Sequence, residues 1–215
     1  MDGYKLIDMA SWPRREHYRY YTQTLSCGFS MTAPIDVFPV LDFARRSNLH
    51  FYGCFIHAIA KTVNQMDCFK MMKDASGFLG IWEAVHPNFT VFHKDTETFS
   101  DLWTEYNDDF RIFYNGFEST LDEYGDYPGM KPRPYQPANF FCVSCVPWIE
   151  YTSVTQMQEG TMPLFPVICF GKYKEDGASA KLPLSIQINH AAADGYHVAK
   201  FFEKLQENVN AFREF

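Results

Sequence analysis

Ten consecutive residues, Gln187-Ile188-Asn189-His190-Ala191-Ala192-Ala193-Asp194-Gly195-Tyr196, hold the densest set of chemistry-bearing side chains in the chain. A well-alternating strand pattern ends at a histidine, three alanines follow, and Asp-Gly opens an amphipathic stretch. An imidazole is neutral near neutral pH and can act as a general base. Placed at the end of a strand, His190 would be presented to a partner rather than packed away. Asp194 is positioned to cap the following helix, because its carboxylate can accept an orphan backbone N–H. By itself this short spacing more often marks a core histidine beside a helix cap, since short motifs match by chance. His197, one turn further on, fits surface or packing. Ser144, on an apolar run, is taken alone an ordinary buried hydroxyl.

Metal chemistry finds little support in the spacing. His17, His50, His57, His86 and His93 show no ligand pattern. Cys142-Val143-Ser144-Cys145 has redox or zinc spacing but no second pair, so the six cysteines, Cys27, Cys54, Cys68, Cys142, Cys145 and Cys169, are expected as free thiols. No metal site is expected.

Helices are predicted over 38–46, capped by Asp36, and over 50–65, where Phe51, Cys54, Phe55, Ala58, Ile59 and Thr62 form a stripe. Leu102, Tyr106, Phe110, Phe113, Phe117 and Leu121 predict a longer helix, and Val198, Phe201, Phe202, Leu205 and Val209 the last one. Strands are predicted at 27–35, 89–93, 140–146, 166–172 and 184–189. The Pro- and Gly-rich stretch 125–137 should return the chain from a helix to a strand within one domain. Strands and helices mix without a strict alternating beat. That favours an α/β fold of α+β two-layer type, a mixed sheet with helices packed on one face, in a single domain over 1–215.

The 215 residues are enough for a sizeable core without staples. Net charge is −7, from 19 Lys and Arg against 26 Asp and Glu, and there is no basic run. Nucleic acid and anionic lipid are therefore not expected partners. Hydrophobic residues make up 47% and aromatics 18%, a composition suited to a packed core and to apolar ligand pockets. The N-terminus lacks the features of a signal peptide and no apolar run has the length of a membrane helix, so a cytoplasmic location is expected.

Five co-linear segments carry a family resemblance. They are Trp12-Pro13-Arg14-Arg15-Glu16-His17, Cys27-Gly28-Phe29-Ser30-Met31-Thr32, Phe89-Thr90-Val91-Phe92-His93 with Thr96-Glu97-Thr98-Phe99-Ser100, Ser144-Cys145-Val146-Pro147-Trp148, and His190 through Gly195 with Tyr-His-Val. Together they span about Trp12 to Leu205 and resemble the trimeric, CoA-dependent chloramphenicol acetyltransferases. The resemblance implies direct acetyl transfer from acetyl-CoA to a hydroxyl of chloramphenicol, conferring resistance, without an acyl-enzyme. It implies that His190 is the general base and that Ser144 stabilises the tetrahedral oxyanion. Asp194 would pair with Arg14 to hold the catalytic loop, a partner whose single removal is costly.

The same resemblance implies an acceptor pocket containing Tyr21, Leu25, Cys27, Phe29, Asn88, Thr90, Phe99, Cys142 and Cys169. It implies a CoA channel along Tyr52, Ser144, Trp148, Lys172 and Tyr173, with Lys172 available to a phosphate. A homotrimer with active sites at subunit interfaces is implied as well. The chain departs from the family pattern at Asn189, where many relatives have a first histidine, at the three small alanines, and at Cys142, Pro163 and Cys169. Those departures leave open a different small hydroxyl acceptor. A non-catalytic ligand-binding protein on this scaffold is the reading from another class. The related dihydrolipoyl acyltransferase cores and condensation domains share the histidine motif, but the former carry a lipoyl domain and linkers and the latter are about twice as long.

Overall fold

In the computed structural model, which describes residues 3–157, 160 and 162–214, a seven-stranded mixed sheet forms the centre of the molecule. The elements in chain order are β1 (Tyr4–Leu6), α1 (Arg15–Gln23), β2 (Gly28–Asp36), α2 (Phe38–Ser47), α3 (Phe51–Asn64), β3 (Met71–Lys73), β4 (Leu79–Trp82), β5 (His86–His93), β6 (Thr98–Trp103), α4 (Phe110–Tyr124), β7 (Phe140–Val146), β8 (Val167–Gly171), β9 (Lys174–Asp176), β10 (Ser179–Asn189) and α5 (Gly195–Asn210). The large sheet runs β2-β10-β8-β7-β5-β6, with β9 against the start of β10. Only β5–β7 and β7–β8 are parallel; the other pairings are antiparallel. A small sheet, β1-β4-β3, stands apart.

β10 shows why the sheet has two unlike faces. Leu182, Leu184, Ile186 and Ile188 alternate onto one face and are fully buried with the helices. Phe89, Phe141 and Phe170 from β5, β7 and β8 join them, packed against Phe55 of α3 and Phe113 and Phe117 of α4. Each such ring contributes roughly 2–3 kcal/mol by leaving water. The opposite face carries Ser185, Gln187 and Asn189, also buried, because the connection from β7 to β8 lies across them.

The helices start and stop where their local chemistry dictates. Asp109 caps α4, its carboxylate accepting from the backbone N–H groups of Arg111 and Ile112. Asn48 ends α2 in the left-handed region at φ 54°, a conformation its short polar side chain tolerates. Asp36 accepts from Phe38 N at 3.1 Å, but the residue in the capping position of α2 is Val37.

Several expectations are corrected. The stripe beginning at Leu102 is not one helix. Leu102 lies in β6 opposite Phe89, Tyr106 is in the connection, and α4 begins only at Phe110. Ser100, Leu102 and Thr104 are buried in alternation, a strand period that happens to run into the helical one. The strand expected over 166–172 runs from Val167 to Gly171, since Pro166 cannot donate to a ladder. The small sheet, α1, β6 as a complete strand and β9 were not anticipated. The expected strands at 27–35, 89–93, 140–146, 166–172 and 184–189 and the helices at 38–46, 50–65 and 198–209 are present within a few residues. Among the described residues no helix is long and apolar enough to cross a membrane.

Candidate active site

His190 follows the last residue of β10, where its backbone N–H donates to Cys27 O at 3.0 Å across the start of β2. Its ring stacks on Tyr21 of α1 at 4.0 Å and 9°, and Phe29 of β2 approaches at 4.9 Å. Nδ1 is buried without a hydrogen-bond partner. Thus Tyr21, Cys27 and Phe29, all expected near the acceptor, gather around the histidine. Leu25 lies in the turn between α1 and β2 and is exposed.

The loop after His190 is tied to the N-terminal segment. Asp194 caps α5, accepting from Tyr196 N at 3.1 Å, as expected. Its other oxygen accepts from Arg14 Nη1 at 2.5 Å, and the pair is half-buried. Arg14 immediately precedes α1, so this ion pair fixes the start of α1 against the start of α5. α1 in turn carries the ring stacked on His190. His197 adds a contact that sequence reasoning left as surface or packing: its Nδ1–H donates to Asp194 Oδ1 at 2.8 Å. Partial burial works against the Asp194 charge, but Arg14 and His197 outweigh it and hold the carboxyl down at about 2. The Asp-xx-His spacing at the start of α5 was the signal that could have found His197.

Ser144 belongs to a separate place. It lines a channel of about 560 Å³ whose walls include Tyr52, Trp148, Lys172 and Tyr173. All five residues expected along CoA therefore come together, and Thr90 and Phe99 join them. Tyr52 OH donates to Thr90 O at 2.9 Å, and burial pushes the phenol well above its usual range. Lys172 is the one charged residue among the described lining residues. Phe51, Phe92 and Phe170 complete the apolar wall, with Phe92 packed edge-on against Trp148 at 4.8 Å. None of these three was expected at the channel from the sequence: Phe51 is on a helical core stripe, and Phe92 and Phe170 lie in expected strands.

The strand registers place the remaining candidates. Thr32, Ser185, Cys169 and Ser144 form one row across β2, β10, β8 and β7. Asn88 and Cys142 stand opposite each other one step away on β5 and β7. Cys169 is buried and does not line the channel; Tyr151 OH donates to its carbonyl at 2.7 Å. Cys142 and Cys145, three apart on a strand, point to opposite faces. All six cysteines are free, and burial pushes the thiols of Cys142 up to about 11 and Cys145 to about 12, far from thiolate chemistry. Among the described residues no group of three or more His, Cys, Asp or Glu could hold a metal ion.

Within one chain the histidine and the channel lie apart. Ser144 is level with Ser185, five residues before His190, which places the histidine roughly 16 Å further along the sheet and two strand spacings of roughly 4.8 Å across. His190 is absent from the residues lining the channel.

Comparison with known proteins bears on this arrangement. The fold is that of CoA-dependent acyltransferases. A solved chloramphenicol acetyltransferase superposes with a TM-score of 0.86 at 19% identity, covering 96% of this chain and 100% of its own. The dihydrolipoamide acetyltransferase of Azotobacter vinelandii superposes with a TM-score of 0.67 at 18% identity, over 93% of this chain and 87% of its own. The chain belongs to the chloramphenicol acetyltransferase family, whose family model it matches over residues 2–206. It is 36% identical over 214 residues to a chloramphenicol acetyltransferase of Clostridium butyricum, covering 99% of this chain and 97% of the relative. It is 38% identical over 211 residues to chloramphenicol acetyltransferase 3 of Escherichia coli, covering 97% and 98%.

Proposed function

We propose that this protein transfers the acetyl group of acetyl-CoA to a hydroxyl of chloramphenicol and thereby confers resistance to it. His190 takes the hydroxyl proton. With Nδ1 buried, Nε2 is the nitrogen left to meet the acceptor. The acceptor oxygen attacks the thioester carbonyl, and the Ser144 hydroxyl donates to the oxyanion of the tetrahedral intermediate. Collapse expels the CoA thiolate, which takes back the proton from the His190 imidazolium. The channel along Tyr52, Trp148, Lys172 and Tyr173 would hold CoA, with Lys172 as a point charge toward phosphate. Tyr21, Leu25, Cys27, Phe29, Asn88, Thr90, Phe99, Cys142 and Cys169 would surround or support the acceptor.

The observation that carries this reading is the separation, within one chain, of His190 from the channel that contains Ser144. A base held on Tyr21 and Phe29 and a channel containing Ser144 become one active site when subunits assemble, as a homotrimer with sites at its interfaces does. The protein acts in the cytoplasm on this reading, as a single acetyltransferase domain over 1–215.

The test is CoA thiol release by purified protein with and without chloramphenicol. Release should require chloramphenicol, and His190→Ala should abolish it while chloramphenicol still binds. Ser144→Ala should lower kcat by about 10²–10³-fold, the usual cost of one oxyanion donor. A His190→Ala enzyme that turns over at the wild-type rate would overturn the assignment.

A further inference from the structure

The catalytic turn is hung on one residue. Asn189 is almost fully buried, and three successive backbone N–H groups converge on it. Ala191 N donates to the side-chain Oδ1 at 2.9 Å, while Ala192 N and Ala193 N donate to the main-chain carbonyl at 3.0 and 3.2 Å. The three alanines are themselves wholly buried, so none of these donors has water as an alternative. The side-chain amide also reaches outward: Asn189 Nδ2 donates to Met162 O at 2.8 Å.

That outward bond is the last rung of a ladder. On the same face of β10, Gln187 is bonded reciprocally to the backbone of Gln156, accepting at 2.8 Å and donating at 2.7 Å. On β2, next to it, Ser30 Oγ donates to Val154 O at 2.9 Å. This ladder straps the connection that begins beside Ser144 and Trp148 onto the strand that ends at His190.

We propose that Asn189 is a positioning residue for the transfer reaction: its Oδ1 sets the turn that aims His190, and its Nδ2 locks that turn to the strap from the Ser144 strand. The proposal rests on His190 being the base. The side chain need not touch either substrate. Small displacements of a base are expensive, since a misplacement of about 1 Å can cost about 10²-fold in rate.

The two bonds can be separated by substitution. Asp and Ser both keep an oxygen able to accept from the N–H two residues on, Ser more weakly, and neither carries the amide donor. Asn189→Ala should lower kcat about 10²-fold with KM for both substrates within about 3-fold of wild type. Asn189→Asp and Asn189→Ser should recover at least 10-fold of that loss. Hydrogen exchange of the segment 185–196 should accelerate most in Asn189→Ala and less in the two rescuing variants, which keep the bond from Ala191 N but lose the one to Met162 O. A folded Asn189→Ala enzyme with kcat within about 3-fold of wild type, or with unchanged exchange over 185–196, would overturn the proposal. So would a loss that neither Asp nor Ser recovers when both variants melt like wild type. The exchange result does not depend on which group is the base, whereas a fully active His190→Ala enzyme would sink the base assignment, and the positioning role with it, while leaving the anchoring of the turn standing.

Discussion

At the scale of single residues, two ionisable groups, one half-buried and one buried, carry consequences that can be measured. Asp194 is held at about 2, below the carboxylate's ordinary 3.8, so its contribution to stability is complete above about pH 4 and fades as the pH falls toward 2. Removing either partner strips the pair and strands the other charge in a half-buried site. Asp194→Ala, which also deletes a helix cap, and Arg14→Ala should each cost about 2 kcal/mol and lower activity with it. Urea unfolding beside turnover checks this, and a variant that melts like wild type yet is inactive would contradict the structural role. His57 works at milder pH. It donates from Nε2 to Asn107 O, its Nδ1 is unpartnered, and burial among Phe110, Phe113 and Phe212 pushes it down to about 4 against the opposing Asn107 bond. Lys61 lowers it further and Asp108 raises it. The unfolded chain therefore binds the extra proton between about pH 6.5 and 4, and stability should fall through that window on acidification. His57→Gln, which keeps a donor for Asn107 and cannot protonate, should flatten the pH dependence of the urea midpoint there.

Among elements, the contact between α3 and α4 is the tightest constraint near the channel. Gly53 lies on α3 under the ring of Phe117, and a Cβ there would stand 2.6 Å from the ring's Cε1. Phe117 is fully buried and packs on Phe89 and Tyr52, so the ring has nowhere to go. Alanine is favoured over glycine in a helix by about 1 kcal/mol, whereas overpacking a core costs about 1–3 kcal/mol. The second effect should win. Gly53→Ala is predicted to destabilise the protein by about 1–2 kcal/mol and, by shifting Tyr52, to raise KM for acetyl-CoA more than KM for chloramphenicol. A more stable Gly53→Ala protein would show that helix propensity prevails.

The whole molecule presents a division that no single element reveals, with His190 and the rings around it at one end of β10 and the channel around β7. If subunits complete each other's sites, two inactive chains should rescue one another. Co-expressed His190→Ala and Ser144→Ala chains should form mixed oligomers in which some interfaces pair an intact His190 with an intact Ser144. Activity in the mixture should then far exceed that of either variant alone. Mixtures as inactive as their components, in oligomers shown to contain both chains, would mean that each chain works alone.

Much of this was legible along the chain because it depends on local periodicity and on motif order. The alternation of Leu184, Ile186 and Ile188 marks β10, the polar stop at His190 marks its end, and Asp194-Gly195 marks the start of α5. The order of the family segments points to Arg14 as the distant partner of Asp194, although the two are 180 residues apart. What the chain alone does not determine is competition between periods and the placement of polar side chains. Leu102 satisfies a helical stripe and a strand alternation equally, and only its pairing with Phe89 decides for β6. Tertiary packing alone turns Gln187 and Asn189 from polar residues on a strand into buried anchors for a strap some 30 residues away. It also separates Ser144 from His190, because strand order and register, not sequence spacing, set the distance between the ends of two strands.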